Sequence, residues 1–161
     1  MLDYPGPDAD SIRGQWRGFQ DMKDRGEVRS LSLSNFSPEQ LDVLMLDDAF
    51  PSKPSVNQLP FGVGFKPVLN RRLLAENAKR KILVQAWSPL RVVSPTAKAE
   101  CARIGRAYSK SPQQIALKWI LQKGASFTTQ TTKTEHFREN IDLFDFTLSD
   151  DDIARLDALA S

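Results

Sequence analysis

The sequence predicts an α/β protein in which parallel strands are joined by helical crossovers. Three observations carry this. Helix starts marked by a capping Ser or Thr recur along the chain, and apolar residues follow them at helical spacing. Short β-rich runs, each too short for a helix and each followed by a loop, lie between those segments. Strands that alternate with helices in this way run parallel and are connected right-handedly.

Taken in order, the first helix reads from Asp10 to Lys23 and is followed by a β-rich run from Val28 to Ser34. In that run Leu31 and Leu33 share one face while Ser30, Ser32 and Ser34 share the other. The leucines could face covering helices with the serines in a tight barrel interior, or the run could be an ordinary edge strand with one polar face. By itself the run favours the edge strand, because parallel strands buried on both faces are usually more apolar. Ser37-Pro38-Glu39-Gln40 opens the next helix, with Pro at its first position and Gln at the capping-box position, ahead of Leu41, Leu44 and Met45.

A strand from Ser55 to Leu59, a helix from Asn70 to Arg80 and a strand from Ile82 to Ala86 come next. Ser111-Pro112-Gln113-Gln114 repeats the capping box before Ile115, Trp119 and Ile120, and Ser126 to Thr129 reads as the fourth strand. Thr132-Lys133-Thr134-Glu135 is a third box, followed at helical spacing by Phe137, Ile141 and Phe144. Ser149-Asp150-Asp151-Asp152 opens a last helix with acidic residues at the positive end of its dipole. Proline-bearing stretches at Phe50 to Pro54 and Pro89 to Thr96 read as loops inside one domain.

The 161 residues, 40% hydrophobic and 26% charged, suffice for one buried core. A net charge of +2, from 22 basic and 20 acidic residues, argues for neither nucleic acid nor an acidic membrane surface. No apolar run reaches the length of a membrane span, and the single cysteine, Cys101, cannot form an internal disulfide. The expected compartment is therefore reducing and cytoplasmic, with no membrane partner. Cys101 lies in a helical pattern without a Cys or His partner at metal spacing and reads as structural, so no metal site is expected.

Four strand ends carry the chemistry. They read Ser34-Asn35-Phe36, Val56-Asn57-Gln58, Ala86-Trp87-Ser88-Pro89-Leu90, and Thr128 to Asn140 with the run His136-Phe137-Arg138-Glu139-Asn140. In this order they resemble the successive cofactor-site motifs of the aldo-keto reductases, (β/α)8 barrels that use NADPH or NADH. Each motif alone is common; four in register, each at the C-terminal end of a strand where barrel sites are built, make a specific signal over essentially the whole chain. The resemblance implies a partial TIM barrel: about four strand-helix units of the C-terminal half plus a C-terminal helix. Residues 1–161 would then be a single incomplete aldo-keto reductase domain.

The resemblance also implies roles. Ser34, Asn35 and Gln58 match residues that hydrogen-bond the nicotinamide carboxamide, as hydroxyl and amide groups can. A turn leading into a helix also favours Ser34-Asn35 on its own account. Trp87 stands where the family usually has a Tyr stacked on the nicotinamide, with a core Trp as the structural alternative, and Ser88, Pro89 and Leu90 continue that motif. Thr131, His136, Glu139 and Asn140 match the adenosine-end segment. Gln130 and His136 occupy the places of the Lys and Arg that hold a 2′-phosphate, which leaves NADP(H) or NAD(H) open as the cofactor. A helix N-terminus, Lys133 and Arg138 could still favour an anion there, while a solvated residue on the first helical turn is the alternative for His136.

The family's acid-base residues are a Tyr, an Asp, a Lys and a His. The first three belong to its N-terminal half, and the segment matching its His-Trp-Pro strand end is Asp3-Tyr4-Pro5, so no catalytic residue is assigned. Leu59-Pro60-Phe61-Gly62-Val63 replaces the family's Glu-Leu-His-Pro-like continuation. The expectation is a truncated oxidoreductase of the family: NAD(P)H-dependent reduction of aldehydes or ketones by descent, inactive as the isolated chain. A small carbonyl substrate would require an N-terminal half. The alternative is a non-catalytic nicotinamide-nucleotide-binding or regulatory subunit. A third reading is a homo-oligomer paired through open barrel edges at Val28 to Ser34 and Ser126 to Thr129.

Overall fold

Capped helices alternate with short strands in the computed structural model, which describes residues 1–65, 67–91 and 93–159, and the side chains of all of these except 67–70. The elements are α1 (Ala9–Asp24), β1 (Ser32–Ser34), α2 (Pro38–Met45), β2 (Val56–Pro60), α3 (Pro67–Lys79), β3 (Leu83–Trp87), α4 (Pro95–Tyr108), α5 (Pro112–Gln122), β4 (Ser126–Phe127), α6 (Thr134–Ile141) and α7 (Asp150–Asp157). The expected α/β class holds, with strand order β1-β2-β3-β4. Ser32 to Ser34 pair in parallel with Val56 to Gln58, and Gln85 and Ala86 with Ser126 and Phe127.

Most helix starts follow the capping chemistry. Ser37 and Ser111 each complete a reciprocal capping box with Gln40 and Gln114, and the Ser149 hydroxyl accepts from the Asp152 N–H. Asp8, two residues ahead of the expected start, caps α1 by accepting from the Ser11 N–H at 2.8 Å. Two expectations need correction. The stretch Pro89 to Thr96 is not all loop, because Ser94 caps α4 with Pro95 behind it. Its signal is incomplete, since Ala97 stands where Gln40 and Gln114 return the second hydrogen bond. Thr132 does not cap α6: the N-cap is Lys133, which makes no side-chain cap bond, and Thr131 Oγ1 accepts from the Lys133 N–H at 3.1 Å.

By its packing the chain divides into two units, Met1–Leu59 with Leu73–Val84 and Pro60–Arg72 with Gln85–Ser161. In the first, Leu31 and Leu33 bury among Ile12, Trp16, Leu41, Leu44 and Phe50, so the leucine face of β1 looks onto helices α1 and α2. In the sheet order β1 stands at one end, as the edge-strand reading expects, with its leucine face covered by helices. Leu2 pairs with Leu33 on the outer side of β1, donating to Ser32 O at 2.9 Å and accepting from the Ser34 N–H at 2.8 Å. This single bridge occupies Ser32 O and the Ser34 N–H on the outer side of β1. Its ladder is shorter than expected because it begins only where Leu2 and β2 supply partners.

In the second unit α5 is central, with every residue from Gln114 to Ile120 buried. Phe61, fully buried, stacks on Trp119 with centroids 5.2 Å apart and planes at 18°. Gly64 follows at φ +74, where an added Cβ would meet the Ala97 Cβ at 2.9 Å. The divergent Leu59-Pro60-Phe61-Gly62-Val63 segment thus serves packing, with Phe61 and Val63 at 0% exposure. Behind α5, Lys118 Nζ donates to Leu143 O at 2.8 Å and lies over the Phe146 ring, tethering the loop after α6. The spacing of Phe137, Ile141 and Phe144 does not put them in a core: all three are exposed and α6 buries no residue.

Two predictions follow from this packing. Arg80 grips Asp42 through two hydrogen bonds of 2.7 Å, holding that carboxyl below its ordinary range, and reaches Glu76 through one of 3.0 Å; Glu76 is held below its range first by Lys79, at 2.6 Å, and then by Arg80. The unfolded chain therefore takes up protons first as pH falls, and the pair's stabilisation, full above about pH 5, disappears through the acid range. The gap in melting temperature between the native chain and Arg80→Met should close on acidification; a gap constant between pH 7 and pH 3 would contradict the assignment. Cys101 is at 0% exposure, and burial pushes its thiol up to about 12. Iodoacetamide at about pH 8 should leave the native chain unmodified and alkylate it fully in denaturant, as mass spectrometry would read directly.

Candidate functional site

Each unit gathers part of the residue set singled out from the sequence, at the C-terminal ends of its strands. In the first unit the β1–β2 register sets Ser34 opposite Gln58. The Asn35 N–H donates to Gln58 O at 2.9 Å, and Asn35 Nδ2 donates to Ser34 Oγ at 2.9 Å and to Asp3 O at 3.2 Å. Asn35 sits at φ 66, a left-handed conformation that Asn tolerates better than most residues. Ser34, Asn35 and Gln58 therefore meet at one corner, as the motifs imply. Asp3 and Tyr4 lie beside it, with Tyr4 64% exposed.

This corner is braced from the helix side. Along β2 the burial alternates, with Asn57 and Leu59 buried and Val56, Gln58 and Pro60 half-buried, so Asn57 and Gln58 point opposite ways. Asn57, at 0% exposure, donates from Nδ2 to Phe36 O at 2.9 Å and accepts at Oδ1 from the Phe36 N–H at 3.4 Å. Sequence reasoning singled out Gln58 and passed over this neighbour. Strand alternation would have shown that the two face opposite sides, but not that Asn57 grips a backbone 21 residues away.

In the second unit the chain leaves β3 through Trp87 into a left-handed Ser88 at φ 51. The turn closes by donation from the Arg91 N–H to Ser88 O at 3.0 Å, with Pro89 buried at its second position. Beside it the Thr128 N–H donates to Ala86 O at 2.9 Å, continuing the pairing past β4. A cleft of about 370 Å³ opens there, lined by Trp87 to Arg91 and by Thr128 to Gln130. The structure thus brings Trp87, Ser88, Pro89, Leu90 and Gln130 together. Arg91, Thr128 and Thr129 line the same cleft and were not singled out. Arg91 carries no motif signal beyond following Ser-Pro-Leu.

Thr131, His136, Glu139 and Asn140 do not line that cleft. His136 is exposed on the first turn of α6 and Glu139 is half-buried. Asn140 Nδ2 donates to Thr129 Oγ1 at 3.2 Å, fastening α6 to the strand end that lines the cleft. The helix start at Lys133 has no side-chain cap, which leaves its first N–H groups to favour an anion. Chemically, the first corner offers hydroxyl and amide groups suited to a primary amide. The cleft offers an aromatic ring, hydroxyls and a guanidinium suited to a flat heterocycle and a phosphate. Among the described residues no group of three or more His, Cys, Asp or Glu could hold a metal ion.

The sequence profile described as the Aldo/keto reductase family matches residues 1–161. The chain is 33% identical over 160 residues to the glyoxal reductase of Bacillus subtilis strain 168, covering 99% of this chain and 55% of that protein. It is 32% identical over 160 residues to an aldo-keto reductase of Mycolicibacterium vanbaalenii, with the same two coverages. Among solved structures, the aldo/keto reductase from Brucella melitensis superposes with a TM-score of 0.82 at 29% identity, covering 98% of this chain and 58% of that one. A Gox0644 mutant crystallised with NADPH superposes with a TM-score of 0.86 at 28% identity, covering 99% and 57%. The chain therefore spans about half the length of the relatives it matches. With a family profile matched from end to end and the strand-end motifs in the family's order, the chain belongs to the aldo/keto reductase family.

Proposed function

We propose that this chain carries the cofactor-binding share of an NAD(P)H-dependent carbonyl reductase, within a single aldo/keto reductase domain. The observation that carries the reading is the placement of motif residues at two left-handed strand ends, Asn35 after β1 and Ser88 after β3. Non-glycine residues in that region cost about 1–2 kcal/mol each, an outlay expected where backbone shape serves a ligand. Ser34, Asn35 and Gln58 would bind the carboxamide of the nicotinamide, and Trp87 would present a ring face for stacking. Ser88, Pro89 and Leu90 shape the turn, while Arg91 and the N-terminus of α6 would face phosphate oxygens. Thr131, Glu139 and Asn140 hold the adenosine end, with Gln130 and His136 in place of a cationic 2′-phosphate clamp. When bound, the nicotinamide would supply the hydride for carbonyl reduction.

The acid-base chemistry is assigned to no residue of this chain. Tyr4 is 64% exposed, and its match in the family is to a strand end other than the one that carries the proton-donor Tyr. The 161 residues alone are expected to bind nicotinamide nucleotide without turning over a carbonyl. A small aldehyde or ketone would be the substrate only where the remaining family residues are supplied.

Trp87 provides the test. Titrating the chain with NADPH and with NADH should quench tryptophan fluorescence, and Trp87→Phe should remove most of the change while leaving Trp16 and Trp119 as internal references. The two nucleotides should differ in affinity by less than tenfold, about 1.4 kcal/mol, and Arg91→Ala should weaken both by about that amount. No NADPH oxidation above a protein-free control is expected with aromatic aldehydes. Absence of binding by either nucleotide, or enzyme-proportional turnover abolished by Tyr4→Phe, would overturn the reading.

A further inference from the structure

We propose that Asn57, backed by Asn77, is the positioning residue that sets the Ser34-Asn35 corner for its ligand; this rests on the cofactor reading given above. Asn57 clamps Phe36 at two points, donating to its carbonyl at 2.9 Å and accepting from its N–H at 3.4 Å. Phe36 follows Asn35, so the clamp fixes the backbone just beyond the left-handed φ of 66, while the Asn35 N–H to Gln58 O bond fixes it on the other side. A left-handed Asn has accessible right-handed and extended alternatives, and the corner stays as it is only if its neighbours determine it.

The orientation of the Asn57 amide is itself determined. Asn77, also at 0% exposure, donates from Nδ2 to Leu73 O at 2.8 Å, which leaves its Oδ1 to accept from Asn57 Nδ2 at 3.2 Å. Asn57 Nδ2 therefore points toward both Phe36 O and Asn77, and its Oδ1 toward the Phe36 N–H. A chain of oriented amides runs from the backbone of α3 to the residue behind the corner. The Asn57 and Asn77 amides and the backbone groups of Phe36 and Leu73 satisfy one another here, and a core that needed only volume would hold a Leu or Met at Asn57 with no such obligations. The neighbouring Gln58 looks the opposite way along the strand, so the two residues divide the work: Gln58 faces the ligand, and Asn57 holds the loop that carries Ser34 and Asn35.

The test compares two probes on the full 161-residue chain by calorimetry. NADPH carries the nicotinamide carboxamide that the corner would bind, whereas 2′,5′-ADP lacks it and carries only the adenosine end. Asn57→Ala should weaken NADPH at least tenfold and change 2′,5′-ADP less than twofold, a split that general destabilisation would not produce. Asn77→Ala should give the same split at smaller amplitude, and it carries the test if Asn57→Ala fails to melt cooperatively. Equal loss of both probes, or NADPH affinity unchanged in both variants, would overturn the positioning role while leaving the cofactor reading standing. A parent chain that binds neither probe would overturn both.

Discussion

The period-two alternation of the strands is the constraint on which the rest depends. A strand residue that faces a helix cannot also face a ligand, and in this chain the division is visible residue by residue: Leu33 buries among helices while Ser34 meets Gln58, and Asn57 turns to Phe36 while Gln58 turns away. Because β1 and β2 are parallel and in register, their C-terminal ends coincide, and the polar residues there form one corner. A slip of one residue would send Gln58 inward and Asn57 outward, losing both the corner and its brace.

Where strands end, the backbone departs from regular structure in a recurring way. Asn35 and Ser88 both take left-handed conformations directly after a strand, and each is held by hydrogen bonds across the turn. Such conformations persist only where the surroundings over-determine them, which Asn57 does for one and the Ser88 to Arg91 turn for the other. Membership of the aldo/keto reductase family accounts for the motifs, while the departures have local causes in this chain. Phe61 in place of a polar continuation is stacked on Trp119, and the Trp119 indole in turn donates to Asp157 at 2.8 Å.

Much of the secondary structure was legible because capping is local chemistry. A Ser oxygen and a Gln amide three residues apart satisfy the same N–H groups in any fold, so the starts of α2 and α5 could be read from four letters each. The start of α4 was hidden because Ala97 leaves the box half made, and that of α6 was misread because Thr131, not Thr132, bonds there. Helical spacing likewise shows that Phe137 and Ile141 share a face, but not whether anything covers it; in this structure both are exposed.

The sequence by itself determined the class of fold, the order of its strands, the family, and the motif residues that gather at the strand ends, because caps, periodicity and short motifs act over a few neighbouring residues. Tertiary structure alone decided that Leu2 pairs with the outer side of β1, that Arg91 and Thr128 share a cleft with Trp87, and that Asn57 serves the backbone of Phe36. The Leu2–Leu33, Trp87–Thr128 and Phe36–Asn57 pairings each join residues 21 or more positions apart, and no local propensity encodes which distant carbonyl a buried amide will find. That choice is made when strands align and helices close over them, since only then do buried polar groups have to find partners other than water.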